Sequence, residues 1–242
     1  MFADDTNLTA VGKTLGEAEE RAGVDLKNVQ KWLSLNKLSL NIAKTEYILI
    51  ASRHKINTID IQSTVKITNQ PVKRVKFTKV LGVQIDEYLS WNQHIEYIAN
   101  KISSGIGAIR TLRAFTDAKT LVLVYNALIQ PYFDYCCEVW DTLGKGLSER
   151  LQKLQNRAAR LIMNLKNEHG QSVLARNSLG WKSLEERRVE MKARIMYKTV
   201  NMLAPSRLCD LFQNVNQITD YNLRGSFTTI GIPMPKTEYL KI

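Results

Sequence analysis

The spacing of apolar residues changes near residue 88, and this change limits the chain to a two-part fold. Before it, apolar and polar residues alternate in several short runs, among them "NTIDIQ", "TVKIT" and "VKFTKVLGVQID". Alternation with a period of two is typical of strands that bury one face. From Ser90 onward, apolar residues recur every three or four positions, which is typical of amphipathic helices. The pattern therefore predicts an α+β fold with a sheet-rich first part and a mostly helical second part.

The first part is also predicted to contain a hairpin and a helix. The segment "FADDTNLTAV" indicates a short strand, a polar turn at Asp4 and Asp5, and a return strand. The segment "TLGE" is a capping box in which Thr14 and Glu17 begin a helix. The predicted apolar face of this helix consists of Ala18, Ala22, Leu26, Val29 and Leu33. We expect the strands that follow to form an antiparallel or mixed sheet through about residue 87.

The second part is predicted to consist of successive helices. Ser90 and Gln93 form a second capping box, and a helix follows whose apolar stripe is Ile95, Ile98, Ile102, Ile106 and Ile109. Pro131 interrupts the next helical segment, "TDAKTLVLVYNALIQ". Residues 147–165 form the clearest amphipathic helix, because their apolar side chains fall within an arc of about 100°. A further helix begins at Ser183 and Glu186, and the last twenty residues are predicted to be extended.

The excess of basic residues lies in the second part. Residues 1–100 contain 13 Lys and Arg against 11 Asp and Glu, whereas residues 101–242 contain 21 against 12. A polyanionic partner is therefore expected on the second part. Arg150, Lys153, Arg157 and Arg160 form a stripe beside the apolar face of the helix at 147–165. Such a stripe is either a solvated charged face or a surface that follows phosphates, and both interpretations remain open.

Composition argues against several classes of protein. The longest apolar runs, such as "LVLVYNALI", are far shorter than the roughly 18–20 residues that a membrane span needs. The first residues are acidic and polar, unlike a secretion signal, so an intracellular location, nuclear or cytoplasmic, is expected. Cys136, Cys137 and Cys209 form no CxxC pair, which favours buried thiols in a reducing compartment over a zinc site or a disulfide framework.

The adjacent carboxylates of Asp4 and Asp5 could hold a divalent cation. Carboxylate oxygens suit Mg²⁺, and two carboxylates this close repel each other unless a cation neutralises them. A pair of such ions can assist phosphoryl transfer. Aspartate is also a common turn residue, so the dipeptide alone leaves a plain structural turn open.

Five segments follow one another along the chain in an order that can be compared with known families. They are "FADDT", "LSLNIAKTE", "VLGVQIDEYLSWNQHI", "YNALIQPYFDYCCEVW" and "LQKLQNRAARLI". They resemble motif C, motif D, motif E and the helical thumb and connection of the reverse transcriptases of non-LTR retrotransposons, of the jockey-like kind. The resemblance covers most of the chain and is strongest over residues 2–160. It implies a partial polymerase palm at 1–88, a helical thumb at 89–166 and a helical-to-irregular region at 167–242.

The resemblance also implies roles for single residues. Asp4 matches a catalytic ligand of Mg²⁺, and Asp5 supports the metal site less directly. Phe2 matches the aromatic residue near the primer end or the nucleotide. Lys44 matches the lysine that assists the departing pyrophosphate, and a mobile cation suits that task. Gly82 falls in the hairpin that grips the primer backbone.

The implied activity is RNA-directed DNA polymerisation with two Mg²⁺ ions. The implied partners are an RNA template and a DNA primer, or an RNA–DNA duplex. In the family, the fingers and another metal-binding aspartate precede the matched motif, whereas one residue precedes Phe2 here. We therefore expect a fragment that is inactive by itself, with an exposed palm edge that favours self-association. The alternatives are a non-catalytic nucleic-acid binder, a helical module covered by a partner protein, and a relic without a stable product.

Overall fold

The chain divides into two compact units with different secondary structure. The computed structural model describes residues 6–58, 65–67, 70–210 and 212. The units are Met1–Tyr97, which combines helices with short strands, and Ile98–Ile242, which is helical in its described residues. The chain is therefore α+β, as the change of periodicity predicts. None of the helices in these ranges is long and apolar enough to cross a membrane.

The first unit contains short strands that pair in separate sheets. Its elements are α1 Leu15–Leu35, a 3₁₀ turn Ile42–Lys44, β1 Glu46–Tyr47, α2 Arg53–Thr58, β2 Lys66–Ile67, β3 Gln70–Pro71, β4 Lys73–Arg74, β5 Phe77–Val80 and β6 Val83–Asp86. Strands β1 and β4 pair in parallel, whereas β2 with β3 and β5 with β6 pair antiparallel. The mixed pairing was expected, but the three two-stranded sheets do not join into one sheet within the described residues.

A small apolar cluster explains why these short strands can persist. Val65, Ile67 and Val72 are buried and form the centre of the cluster. Partly buried side chains pack against it from α1, the 3₁₀ turn, β1 and the segment before the turn: Leu26, Leu40, Ile42 and Tyr47. The apolar residues of "TVKIT" are thus buried against side chains from a helix and a turn, and not within a wide sheet.

The predicted hairpin at the start of the chain is only partly described. Its first strand and its turn lie outside the described residues, and residues 6–11, the predicted return strand, form no strand. The carbonyl of Val11 accepts a hydrogen bond from Arg21 Nη1 at 2.7 Å. Arg21 lies in α1, so this contact attaches the end of the segment to a helix.

Two of the three predicted helix starts are confirmed by their hydrogen bonds. Thr14 caps α1 by accepting from the backbone N–H of Glu17, although the Glu17 carboxylate accepts from Lys13 rather than from Thr14. Ser183 and Glu186 form a complete capping box at the start of the helix Leu184–Val200. Both signals are local, because the donor and the acceptor lie within four residues of each other.

The third predicted start, at Ser90 and Gln93, stays a prediction at the level of its hydrogen bonds, although a helix does begin two residues after Ser90, at Asn92. The Asp86 carboxylate accepts from the backbone N–H groups of Ser90 at 2.9 Å and Trp91 at 3.0 Å, just before helix α3, Asn92–Leu112. Burial alone would raise the pKa of Asp86, but the hydrogen bonds from Ser90, Trp91 and Tyr88 hold it below its usual value. The carboxylate at the end of β6 therefore holds the two residues that precede α3.

The second unit is built on the isoleucine stripe of α3. The stripe residues Ile98, Ile102, Ile106 and Ile109 are 0–3% exposed, which confirms the predicted face. The further helices are α4 Ala118–Leu128, α5 Gln130–Asp134, α6 Cys137–Trp140, α7 Lys145–Ile162, α8 Gln171–Ser178, α9 Leu184–Val200 and α10 Ser206–Cys209. Helix α4 ends at Leu128 and Pro131 lies in the first turn of α5, which confirms the predicted interruption.

Gly105 lies where α3 comes closest to Ile129. A Cβ atom at Gly105 would lie 2.6 Å from Ile129 Cγ1, and Ile129 is fully buried. We predict that Gly105→Ala lowers the free energy of unfolding by about 1–3 kcal/mol through overpacking, as measured by urea denaturation. Gly107→Ala is the matched control, because a Cβ atom there has no neighbour within 4 Å. The control should gain about 0.5–1 kcal/mol of helix propensity. Equal stability of the two variants would contradict the close contact.

Candidate nucleic-acid interface

Helix α7 has one buried side, which holds it in the second unit. Leu151, Ala158 and Ala159 are fully buried and Ile162 is nearly so. The helix packs against α4, α8 and α9. The two alanines remove side-chain bulk, so a neighbouring helix can come close to the α7 backbone. The predicted apolar side is thus confirmed at Leu151, Ala158 and Ile162, whereas Leu147, Leu154 and Leu161 are only half-buried.

Two glutamines extend the buried side of α7 beyond the predicted apolar arc. Gln155 is 2% exposed, and its Nε2 donates to the carbonyl of Lys182 at 3.2 Å. Gln152 Oε1 accepts from the backbone N–H of Leu184 at 2.9 Å, and Gln152 Nε2 donates to Gln155 Oε1 at 2.7 Å. The backbone N–H of Leu184, the first residue of α9, has no partner within its own helix. Its hydrogen bond to Gln152 therefore attaches the start of α9 to α7.

The opposite side of α7 is basic and exposed. Arg150, Lys153 and Arg157 are exposed, and no ion pair joins them to a carboxylate among the residues that the structure describes. Arg160 is half-buried and donates a short hydrogen bond to the Ser172 hydroxyl on α8. Ser172 is neutral, so the charge of Arg160 remains uncompensated by this contact. We refer to Arg150, Lys153 and Arg157 as the α7 basic face.

Other cations of the second unit form ion pairs that join its helices, unlike the cations of the α7 basic face. Arg187 forms two hydrogen bonds with the Asp134 carboxylate, at 2.6 and 2.7 Å, and this partner raises the pKa of Arg187 further. Arg188 Nε lies 2.5 Å from Asp141 Oδ1, and Lys192 Nζ lies 2.5 Å from Asp141 Oδ2. These ion pairs connect α5 and the end of α6 to α9. A cation with a carboxylate partner is a weaker phosphate ligand, so these residues are separate from the α7 basic face.

The structure places Lys44 and Gly82 on separate turns of the first unit. Lys44 ends the 3₁₀ turn, is exposed, and donates its backbone N–H to the Asn41 side chain at 3.2 Å. Gly82 and Leu81 form the two-residue turn between β5 and β6, with φ angles of 89° and 46°. Positive φ at both positions is the pattern of a type I′ hairpin turn, which glycine adopts without strain. Their roles in a polymerase stay predictions.

The predicted metal ligands Asp4 and Asp5, and the aromatic Phe2 beside them, lie outside the described residues. In the part of the chain that the structure describes, no group of three or more His, Cys, Asp or Glu side chains could hold a metal ion. The donor set of two adjacent carboxylates suits Mg²⁺ by its chemistry alone. The metal site therefore stays a prediction of the sequence.

The three cysteines are free thiols, and Cys137 is almost fully buried. Burial and the nearby carboxylates of Glu138 and Asp134 raise the pKa of Cys137 to about 12. This thiol is therefore protonated at neutral pH and is a poor nucleophile. Its thiol donates a weak hydrogen bond to Met191 Sδ at 3.2 Å, which joins α6 to α9.

Sequence patterns missed two features that shape this interface. No pattern indicates that Arg160 contacts Ser172, because α8 is a short helix with a weak apolar periodicity. No pattern indicates that Gln155 is buried, because glutamine is ordinarily a surface residue. The contacts of Gln155 with Lys182 and of Gln152 with Leu184 require the tertiary fold, which brings α7 beside the start of α9.

The chain is similar to proteins of two transposable elements. Over 164 residues, or 66% of this chain, it is 21% identical to "Probable RNA-directed DNA polymerase from transposon X-element" of Drosophila melanogaster. Over 144 residues, or 57%, it is 24% identical to "Retrovirus-related Pol polyprotein from type-1 retrotransposable element R1 2" of Nasonia vitripennis. An uncharacterized protein of Caenorhabditis elegans is 27% identical over 112 residues, or 45%.

The matched regions span 18%, 35% and 56% of the lengths of these three proteins. No protein-family model matches the sequence, and no solved structure matches it. One distant relative is thus named a probable RNA-directed DNA polymerase of a transposon and another a Pol polyprotein of a retrotransposable element, and the chain corresponds to a limited part of each.

Proposed function

We propose that this chain is part of the reverse transcriptase of a non-LTR retrotransposon of the jockey-like kind, and that its helical second unit binds a duplex of RNA template and DNA primer. The α7 basic face carries this proposal. Its three cations lie on the side of α7 that faces away from the core, and no carboxylate is paired with them in the described residues. Phosphates of a nucleic-acid backbone are the partners that such cations suit.

The proposal assigns residues 1–88 to the palm, 89–166 to the thumb and 167–242 to a C-terminal region. Asp4 and Asp5 would hold Mg²⁺, which when bound neutralises charge on the transferring phosphate. Lys44 would act near the departing pyrophosphate, and its exposure leaves its ammonium group available to a substrate. Gly82 would lie against the primer, because a turn with a glycine lets another backbone approach closely.

A second candidate function is binding of nucleic acid without catalysis. It requires only the α7 basic face and the net charge of +11, and it is independent of Asp4 and Asp5. Self-association is compatible with both candidates. Each two-stranded sheet of the first unit leaves strand edges without a partner strand in the described residues, and such edges can pair with a second copy.

Two measurements on the purified chain test these functions. Fluorescence anisotropy with a labelled RNA–DNA duplex should show saturable binding that weakens as salt rises, because phosphate contacts release counterions. Absence of duplex binding at low salt would contradict the first candidate, and the second as well if single-stranded RNA also fails to bind. Primer extension on an RNA template with Mg²⁺ then separates them. Incorporation that Asp4→Asn abolishes would assign catalysis to this chain, whereas binding without incorporation favours the non-catalytic binder.

A further inference from the structure

The turn between α3 and α4, residues 112–117, presents an aromatic side chain to solvent. Phe115 is 83% exposed, and its backbone is held in place. The backbone N–H of Phe115 donates to the carbonyl of Leu112 at 2.8 Å, and that of Arg113 donates to Ile109 at 3.0 Å. A phenyl ring in water lacks the burial that stabilises it in a core. Packing of the second unit therefore does not explain the exposure of Phe115. We refer to residues 112–117 as the Phe115 turn.

Cations flank the Phe115 turn on both sides. Arg110 and Lys119 are exposed, Arg113 is exposed on the turn itself, and no ion pair joins any of them to a carboxylate within the described ranges. The nearby carboxylate, Asp117, caps α4 by accepting from the backbone N–H of Thr120 at 2.9 Å. Its charge is thus directed to the start of a helix, and the turn keeps a basic surface.

A hydrogen bond places the Phe115 turn beside the end of α7. Arg113 Nη2 donates to Asn164 Oδ1 at 2.9 Å, although the two residues are 51 positions apart in the chain. Asn164 lies two residues after Ile162, the last residue of α7. The basic surface of the turn therefore adjoins the C-terminal end of the helix that carries the α7 basic face.

We propose that the Phe115 turn binds single-stranded nucleic acid, with an unpaired base stacked on Phe115 and the adjoining phosphates beside Arg110, Arg113 and Lys119. An aromatic ring among cations is the arrangement that such binding uses. The flat face of any base can stack on the ring, and the negative charge of each phosphate linkage attracts the cations. The ring cannot stack on the interior bases of a duplex, because both faces of those bases are already stacked on their neighbours. This site goes beyond the proposed binding of a duplex by the α7 basic face, because it would bind an unpaired segment of the template or primer.

The test measures the affinity of Phe115→Ala for a labelled single-stranded oligouridylate and for the RNA–DNA duplex. We expect the affinity for the single strand to fall about tenfold, because stacking on an aromatic side chain is worth about that much per base. Affinity for the duplex should stay unchanged. Phe115→Trp should keep the affinity of the parent, and oligouridylate should quench the fluorescence of the added indole. Far-ultraviolet circular dichroism checks that both variants fold.

Three results would overturn the proposal. They are an unchanged affinity of Phe115→Ala for the single strand, an equal loss for single strand and duplex, and binding of anionic lipid vesicles that depends on Phe115 while oligouridylate binding does not. The α7 basic face is tested separately by its own substitutions. If duplex binding fails but oligouridylate binding depends on Phe115, the duplex-binding function is wrong and the stacking site remains.

Discussion

Replacing Asp141 by asparagine is expected to lower the free energy of unfolding by about 3–5 kcal/mol, the range for breaking a buried ion pair. Its partner Arg188 is only 5% exposed, with Nε 2.5 Å from Asp141 Oδ1 and Nη2 2.6 Å from the Ser148 hydroxyl. Asparagine keeps the shape of the side chain but removes its charge. The guanidinium would then stay buried without a carboxylate, because α9 holds it away from water. Urea denaturation followed by far-ultraviolet circular dichroism measures the loss.

The same carboxylate provides the control for this prediction. Lys192 Nζ lies 2.5 Å from Asp141 Oδ2, but the Lys192 side chain is 50% exposed. Lys192→Gln should therefore cost at most about 1 kcal/mol, as exposed ion pairs generally do. A double variant, Asp141→Leu with Arg188→Met, should be more stable than Asp141→Leu alone, because it leaves no buried charge. Equal losses for Asp141→Asn and Lys192→Gln would contradict the buried character of the Arg188 pair.

Replacing Arg150, Lys153 and Arg157 together by glutamine is expected to weaken binding of the RNA–DNA duplex and to reduce its salt dependence. Each phosphate contact contributes about 0.9 to the slope of log affinity against log salt, so the slope should fall by about 2.7. Between about 50 and 200 mM salt, the parent should therefore lose about 40-fold more affinity than the variant. Fluorescence anisotropy across a salt series gives both slopes.

A variant with the same change of charge separates local contacts from the net charge. Arg194, Lys198 and Arg207 are exposed on α9 and α10, and none of them has an ion pair within the described part of the chain. Their replacement by glutamine should leave the slope close to that of the parent. If both triple variants lowered the slope equally, the α7 basic face would be no more than a contributor to the overall charge. Because all six residues are exposed, either variant is expected to fold.

The helical second unit was largely predictable from local patterns. The isoleucine stripe of α3, the interruption at Pro131 and the capping box at Ser183 each depend on residues within a few turns of one another. A helix satisfies its backbone hydrogen bonds within its own segment, so its position in the chain follows from nearby residues. The apolar side of α7 was predictable for the same reason.

The sheet of the first unit was less predictable, because strand pairing depends on distant residues. A two-residue turn joins β5 and β6, but a hairpin at this position was implied only by the family resemblance at Gly82. The parallel pairing of β1 with β4, in which Glu46 faces Lys73, has no comparable local signal. The hydrogen bonds from Ser90 and Trp91 to the Asp86 carboxylate likewise depend on where β6 ends relative to the helix. Register and turn geometry decide such contacts, and alternation alone does not.

The sequence by itself determined the α+β class, the helices of the second unit and the basic excess in residues 101–242, because composition and helical periodicity are local properties. The tertiary structure alone decided which cations remain available to a partner. Arg187 and Arg188 find carboxylates 53 and 47 positions away, whereas Arg150, Lys153 and Arg157 find none among the described residues. Ion pairs require proximity in space, and the packing of α9 against α5 and the end of α6 supplies it for the first group only.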